Sequence, residues 1–599
     1  MSIRRLFAIA LSAVLSVTCP TVGARAADIV AAWDGTTGTW TDAARWDSCP
    51  LFPNNGNGGK TFDAVVAGGA IALGQDITIQ RLTLSGGTLD MPAGAHTLAL
   101  VEGGSASAGA LAIDLAGPGT FTVAYLNWTG GSMTGSGITQ VQPGGTLALS
   151  GPGTKYLKRT LTSAGTTIVS DAGPLLSYSG GSPPVFSNQA GGLFDIRSDA
   201  ALFDTGGAPV FHNAGTFRTS PGTGTATVEW VFDNTGSIQA LSGRLVFAGP
   251  ITQLPGSVLT GGTWQVGPNG RLDIPTASNI TTNQGAVILD GANSRFDRID
   301  ALADNQGTFS LRNGRQFTSA ASLANSGTLT VGAGSSLAVG GAYNQTAGTT
   351  TIDSVFKTGS GTATVTGGTF NLNADAAAGG PLTLHSSAAV NFGSSQHLDG
   401  LDLTNGTATL AAGGAKVLTT KLLTINDSLA KLDLMDNDLV IDYAGATSPV
   451  AAIRSYLATG CDGGKWDGLG ITSGQAQADH AADPLAPTAL GYRDDTAAEE
   501  ITVKYTWQGD STLDGKVDIA DDYFAFLDGF NGVGAGWFYG DFNYDGQIDI
   551  ANDYFAFLDG FNLQSGQLGG LDADPSAVPE PATLALVALG ALALLRRRR

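Results

Sequence analysis

"FSNQAGGLFDI" (Phe186–Ile196), "FHNAGTFRT" (Phe211–Thr219), "FDNTGSIQA" (Phe232–Ala240), "TNQGAVIL" (Thr282–Leu289), "DNQGTFSL" (Asp304–Leu311) and "ANSGTLTV" (Ala324–Val331) are variants of one phrase. Their asparagines, Asn188, Asn213, Asn234, Asn283, Asn305 and Asn325, recur at 25, 21, 49, 22 and 20 residues, the 49 being two units. Short alternating runs such as "ITIQRLTLSGGTLDM", "GRLVFAG" and "GTATVTGGTFNLN" lie between clusters of Gly, Asn and Ser, and alternation with period two is the mark of a half-buried strand. A unit of 20 to 25 residues cannot bury its apolar face alone. Stacked units can, which predicts a mostly β chain built as a parallel β-solenoid over residues 27–447. Asn and Gly are expected to supply left-handed backbone at the corners, with Phe, Leu and Val stacking inward from rung to rung. A string of β-sandwiches is the alternative, weakened by the missing Cys and Trp core markers.

In style, this region resembles the β-helix passengers of autotransporters and planctomycete surface proteins. The Trp-bearing opening "WDGTTGTWTDAARWDSCPLFPNNGNGGKTFDAVV" resembles the entry segment of such proteins, which assigns Trp33, Trp40 and Trp46 to a cap over the first rung rather than to a sugar platform.

The chain has 599 residues, 86 of them Gly, only 14% charged, and carries a net charge of −21. That balance removes the electrostatic basis for nucleic-acid binding. No catalytic residue is assigned. Asp195, Asp199, Asp204, Asp273, Asp290 and Asp297 occur on successive units, and each reads as a solvated turn. His96, His212, His385, His397 and His480 are scattered without metal-ligand spacing. An enzyme is therefore not expected, and the competing class is a polysaccharide-active β-helix lyase or glycosidase.

Residues 1–26 have the order of a secretory signal: Arg4 and Arg5, an apolar run, then Ala24-Arg25-Ala26. Residues 579–599, "VPEPATLALVALGALALLRRRR" without its first valine, place Pro579-Glu580-Pro581 before an apolar run and four arginines. A helix over 582–595 would be about 21 Å long, against a bilayer core of about 30 Å. This tail resembles the PEP-CTERM sorting signal, also catalogued as the ice-binding protein C-terminal domain. The resemblance implies export to the cell surface or extracellular space, transient or permanent anchoring by a hydrophobic helix, and an exosortase as processing partner. In the mature chain Cys49 and Cys461 remain, and pairing or separate thiols are both open.

Residues 448–508 read as a connector, with a short helix over Arg454–Leu457 and a strand over Ile501–Trp507. Two stretches then repeat: "GDSTLDGKVDIADDYFAFLDGF" (Gly509–Phe530) and "GDFNYDGQIDIANDYFAFLDGF" (Gly540–Phe561). Counted from Asp510, the first has the order of an EF-hand loop: Asp510, Thr512, Asp514, Gly515, Lys516, Asp518 and Asp521 at positions 1, 3, 5, 6, 7, 9 and 12. The second copy has Asp541, Asn543, Asp545, Gly546, Gln547, Asp549 and Asn552. After each comes a helix with one apolar face, Tyr523, Phe526, Leu527 and Phe530, then Tyr554, Phe557, Leu558 and Phe561. Two loop-helix units over 509–563, before a linker at 564–578, resemble a type I dockerin. The resemblance implies two calcium ions and a cohesin-like partner chosen by Ile519-Ala520 and Ile550-Ala551. Docking on the chain itself is equally open. One departure matters: the acidic residue before each tyrosine is Asp522 or Asp553, a step past position 12. Either Asp521 and Asn552 close the loops, or a one-residue bulge presents Asp522 and Asp553. Asn offers no bidentate carboxylate, which favours Asp553 in the second loop. The sum is an exported surface or matrix protein, structural or adhesive, meeting extracellular polysaccharide or matrix.

Overall fold

The computed structural model describes residues 26–568, except 91–95, 107–111, 114–118, 171–172, 179–182, 221, 223 and 427. The expected signal, apart from Ala26, and the expected sorting tail with its hydrophobic helix lie outside the described residues. The chain divides into two units, Met1–Gly236 with Val246–Pro250, and Ser237–Leu245 with Ile251–Arg599.

In the first unit the strands pair in parallel from the start. Ile29–Ala32 pairs with Phe62–Ala72, which pairs with Ile77–Asp90. Further on, each turn is made of short strands separated by tight corners. Val185–Asn188, Leu193–Ile196 and Ala201–Asp204 form one turn, and Val210–Asn213, Thr216–Thr219 and Thr225–Val228 form the next, in matched register. Alternate residues point inward, so equivalent side chains stack. Phe186, Phe211 and Phe232 form one column with ring centres 4.9 and 5.0 Å apart, and Phe194 and Phe217 form a second with centres 5.0 Å apart. The columns meet edge to face, as between Phe194 and Phe211 at 5.1 Å. Trp33, Trp40 and Trp46 make a buried cluster at the start. Trp40 and Trp46 are 4.9 Å apart, and their indole N–H groups donate to Pro53 O and Trp40 O. Their faces are closed to any sugar.

The second unit repeats the plan. Thr263–Asp273, Ala286–Asp290, Thr308–Arg312, Thr328–Val331 and Thr349–Ile352 follow one another in parallel register. The parallel pairing is that of a β-solenoid and not of sandwiches joined by hairpins. At Asp438–Asp442 it changes: this strand runs parallel to Val417–Thr420 but antiparallel to Glu500–Trp507, which forms a hairpin with Thr488–Asp495. The expected connector is thus the closing element of the solenoid. Gly470–Thr472 also continues the parallel column by pairing with Ala430–Asp433. Helix α1 spans Val450–Cys461, longer than the four residues its sequence suggests, and α2 spans Gly474–Ala482.

The asparagines do something other than expected. None of the six has a positive φ; each ends a strand, is buried, and points inward. Asn188 donates to Asn213 Oδ1 at 2.7 Å and Asn213 to Asn234 Oδ1 at 2.7 Å; in the second unit Asn283 donates to Asn305 at 2.8 Å. An amide has both a donor and an acceptor, so each member of the column serves the next, and the first oxygens, Asn188 Oδ1 and Asn283 Oδ1, are left buried without a partner. The following glycines are needed for space: a Cβ on Gly327 would lie 2.0 Å from Gly307 O.

Two of the aspartates read as solvated turns are buried instead. Asp195 accepts from Arg218 at 3.0 Å, Arg197 at 2.8 Å and Ser220 at 2.5 Å, and Asp273 is held by Arg244 and Arg271. Burial pushes both carboxyls up, but the arginine hydrogen bonds outweigh it and hold them below the usual range. Arg197 and Arg271 are two residues from their aspartates, whereas Arg218 and Arg244 come from neighbouring strands, a proximity that appears only once the register is known. Cys49 and Cys461 are both free thiols, Cys461 pushed up to about 11 by burial. No helix among the described residues is long and apolar enough to cross a membrane.

Candidate metal centre

The repeated acidic loops lie in the second unit, packed on the hairpin that closes the solenoid. Tyr544 donates to Leu490 O at 2.7 Å, Trp537 Nε1 to Asp510 O at 2.6 Å, and Lys504 Nζ to Leu513 O at 3.2 Å. Trp537 stacks on Tyr544 at 5.4 Å. The segment after the repeats is part of the assembly. Gln564 bonds Val517 through both ends of its amide, at 2.9 and 2.6 Å, and Leu568 N donates to Gly515 O at 2.8 Å. The expected linker therefore begins as a tie that closes the first loop.

Each loop is followed by a helix, α3 at Asp522–Phe530 and α4 at Phe555–Leu563. These pack through the expected rings: Tyr523 lies 5.6 Å from Phe557, and Phe526 lies 5.8 Å from Tyr554. Phe526 and Phe557 are buried, but Phe530 and Phe561, expected on the same face, are 47% and 36% exposed. Each stacks on the ring one turn back, Phe530 on Phe526 at 6.1 Å and Phe561 on Phe557 at 6.0 Å. Phe524 and Phe555, at 57% and 56%, are the most exposed aromatics of the repeats, and Ile519 and Ile550 are exposed as well.

The extra residue in each loop is absorbed as a single wide turn. Tyr523 N donates to Asp518 O and Tyr554 N to Asp549 O, both at 3.2 Å and both five residues back. The bulge turns Asp522 and Asp553 inward. Asp521 and Asn552 are left exposed, their backbone N–H groups capped by Asp518 and Asp549 at 3.0 and 2.8 Å. Asp522 accepts from Thr512 N at 3.1 Å and Asp518 N at 2.8 Å; Asp553 accepts from Phe542 N at 3.0 Å and Asp549 N at 2.9 Å. Opposite them, Asp510 accepts from Gly515 N at 2.9 Å and Asp541 from Gly546 N at 3.1 Å.

Asp510, Asp522, Asp541 and Asp553 are all buried, and none makes an ion pair. Burial, reinforced by the neighbouring carboxylates, pushes Asp510, Asp522 and Asp553 up to about 6, and raises Asp541 as well. One oxygen, Asp541 Oδ1, is buried with no hydrogen-bond partner. Burying carboxylates in pairs without a cation is costly, and an orphaned oxygen adds to that cost. The donor set is hard oxygen throughout, which suits a hard divalent cation and offers nothing to a soft one. The other expected ligands sit around these pairs. Asp514 and Asp545 are exposed and accept from Lys516 N at 2.9 Å and Gln547 N at 2.8 Å; Asn543 Oδ1 accepts from Asp545 N at 2.8 Å. At position 7 the EF-hand pattern uses a backbone carbonyl, so the Lys516 ammonium and the Gln547 amide are outside the donor set. Among the described residues no three His, Cys, Asp or Glu side chains are drawn together as a ready-made metal cluster. Each loop brings in two, the first and the last.

The other end of the chain gives the address. Residues 577–599 match the PEP-CTERM protein-sorting motif. Such a tail marks an exported, surface-sorted protein, and exosortase is the partner that handles it. No curated protein and no solved structure matches the chain. The dockerin, autotransporter and planctomycete resemblances therefore stand on the residues alone.

Proposed function

We propose that this is an exported surface or matrix protein, structural or adhesive rather than catalytic, in which a β-solenoid is closed by a duplicated calcium-binding module. The observation that carries the reading is the pair of buried carboxylates, Asp510 with Asp522 and Asp541 with Asp553, made twice by the same loop and the same wide turn, with raised carboxyls in both and only the Arg454 charge acting near the second. Calcium bound there would supply the missing positive charge, and the free energy of binding would become folding stability of the module. Thr512, Asp514, Asp518, Asn543, Asp545 and Asp549 complete the two donor sets. Packing on the hairpin supports docking of the module on its own chain. The exposed Ile519-Ala520 and Ile550-Ala551, alike in both copies, keep a cohesin-like partner as a second role. The non-catalytic reading is supported by Asp195 and Asp273, whose carboxylates are occupied by arginines instead of standing free in a pair for acid–base work.

Calorimetric titration of the chain over 27–568 with calcium tests this. Two ions per chain and a thermal transition raised by calcium are expected. A chain that binds fewer than two ions, or melts alike in chelator and in millimolar calcium, overturns the calcium reading.

A further inference from the structure

A cleft of about 460 Å³ opens in the second unit between α1, the outer hairpin strand Thr488–Asp495 and the Ala535–Tyr539 link between the two loops. Two arginines face it, Arg454 from α1 and Arg493 from the strand. Neither makes a close ion pair, although the Arg454 charge acts on Asp541 of the second loop and the Arg493 charge on Asp495. The carboxylates nearest in sequence have other hydrogen-bond partners. Asp494 accepts from Tyr443 and Ser448 hydroxyls, each at 2.7 Å, and Asp495 caps its own turn through Ala497 N and Ala498 N, each at 3.0 Å. Arg493 instead lies 4.8 Å above the ring of Phe538. Arg454 lies against the second loop, close enough that a Cβ on Gly546 would be 2.5 Å from its Nη1.

We propose that this cleft binds an acidic saccharide, a uronic-acid oligomer whose carboxylate is gripped by the guanidinium groups of Arg493 and Arg454 while a pyranose ring rests against the aromatic wall of Phe538 and Tyr539. A guanidinium fork matches a carboxylate in two parallel hydrogen bonds, and a cation already stacked on a ring presents that fork at a fixed angle. The volume suits one or two sugar rings and not a folded partner. A peptide added as a further strand is disfavoured, because the free edge of Thr488–Asp495 is covered by the link and by Tyr544, whose hydroxyl takes the Leu490 carbonyl. The inference deepens the adhesive reading by naming a ligand class and a site. It does not require that the loops bind calcium, so the two can fail separately.

The test is calorimetric titration of the chain over 27–568, at fixed calcium, with a galacturonic acid trimer, a neutral galactose trimer, sodium acetate and an acidic peptide. The acidic trimer should bind one per chain and weaken as salt rises from ~50 mM to ~500 mM, as a partly exposed charge contact does. Arg493→Ala should reduce affinity about tenfold or more and Arg493→Lys by less, since Lys keeps the charge and loses the fork. Both should leave the thermal transition in place. Arg454→Gln should also weaken the trimer, with calcium stoichiometry measured on the same protein to show that the second loop is intact. Equal binding of the neutral trimer, tighter binding of acetate or the acidic peptide, or an unchanged affinity in Arg493→Ala overturns the proposal.

Discussion

Asn305 donates its side-chain amide to Asn325 Oδ1 at 2.7 Å while accepting from Asn283 at 2.8 Å, so that one buried residue satisfies two others on the turns before and after it. Removing it takes the donor from Asn325 Oδ1 and leaves Asn283 Nδ2 with Thr308 O as its remaining partner, at 2.9 Å. Asn305→Ala should therefore cost about 2 kcal/mol or more, whereas Asn344→Ala, at an exposed strand position, should fall within ~0.5 kcal/mol of the parent. Urea unfolding of the two variants separates the cases; equal costs would mean that the amide column is incidental.

Glycines should differ according to what surrounds them. Gly327→Ala drives a methyl into the Gly307 carbonyl, 2.0 Å away, and forces adjacent turns apart. Gly334, with φ +74 and open space around it, pays only the backbone strain of a left-handed alanine, about 1 kcal/mol. Gly261→Ala, with neither crowding nor positive φ, should be nearly silent. The order of melting temperatures, 327 lowest and 261 highest, is the expected result.

Acid should loosen the solenoid through its buried aspartates. Asp195 and Asp273 have folded pKa values below the ordinary 3.8, so their contribution is fully present above about pH 4 and is lost as pH falls through the folded values. Between pH 7 and 5 these groups contribute no slope. Asp195→Asn should destabilise the neutral-pH protein and flatten its loss of stability between pH 4 and 2, which thermal melts across that range can read.

The wide turns give the sharpest comparison in the loops. Asp522→Asn and Asp553→Asn remove a buried charge and keep the shape, so each should weaken calcium at its own loop by roughly a hundredfold or more, while leaving the protein in chelator as stable as the parent or more so. Asp521→Ala and Asn552→Ala, at exposed positions, should change calcium affinity by a few-fold at most. Titration calorimetry in calcium, paired with melts in chelator, checks both halves; a larger calcium effect at Asp521 than at Asp522 would reverse the assignment.

The period of the Asn phrases was enough to expect parallel turns, because alternation and spacing are properties of the chain read alone. What those asparagines do was not, since a residue seen once per 20 to 25 looks the same whether it bends a corner or reaches the next turn. Asp195 shows the same limit: Arg197 is two residues away and visible, but Arg218 comes from the neighbouring rung and meets it only in the folded register. In the loops the order of acidic residues is local and visible in the chain read alone, including the surplus residue. That Asp522 and Asp553, and not Asp521 and Asn552, turn inward shows only in the folded chain, where Tyr523 and Tyr554 bond to carbonyls five residues back. Arg493 over Phe538 had no local signal at all, the two being 45 residues apart on elements that only the fold joins.

The change from parallel to antiparallel pairing at Asp438–Asp442 also governs how the molecule behaves in a crowd. A parallel stack ends in a row of unspent amides and carbonyls, a template on which another chain can add its own strand and continue the growth. Here Glu500–Trp507 occupies that template on the Asp438–Asp442 face in the opposite sense, and Thr488–Asp495 beyond it is overlaid by the aromatic link of the acidic repeats. The loops thus overlie one edge on which a fibre could otherwise be seeded. Losing their fold would uncover a growing end, so the ion expected to hold them together would also keep neighbouring copies from joining into one.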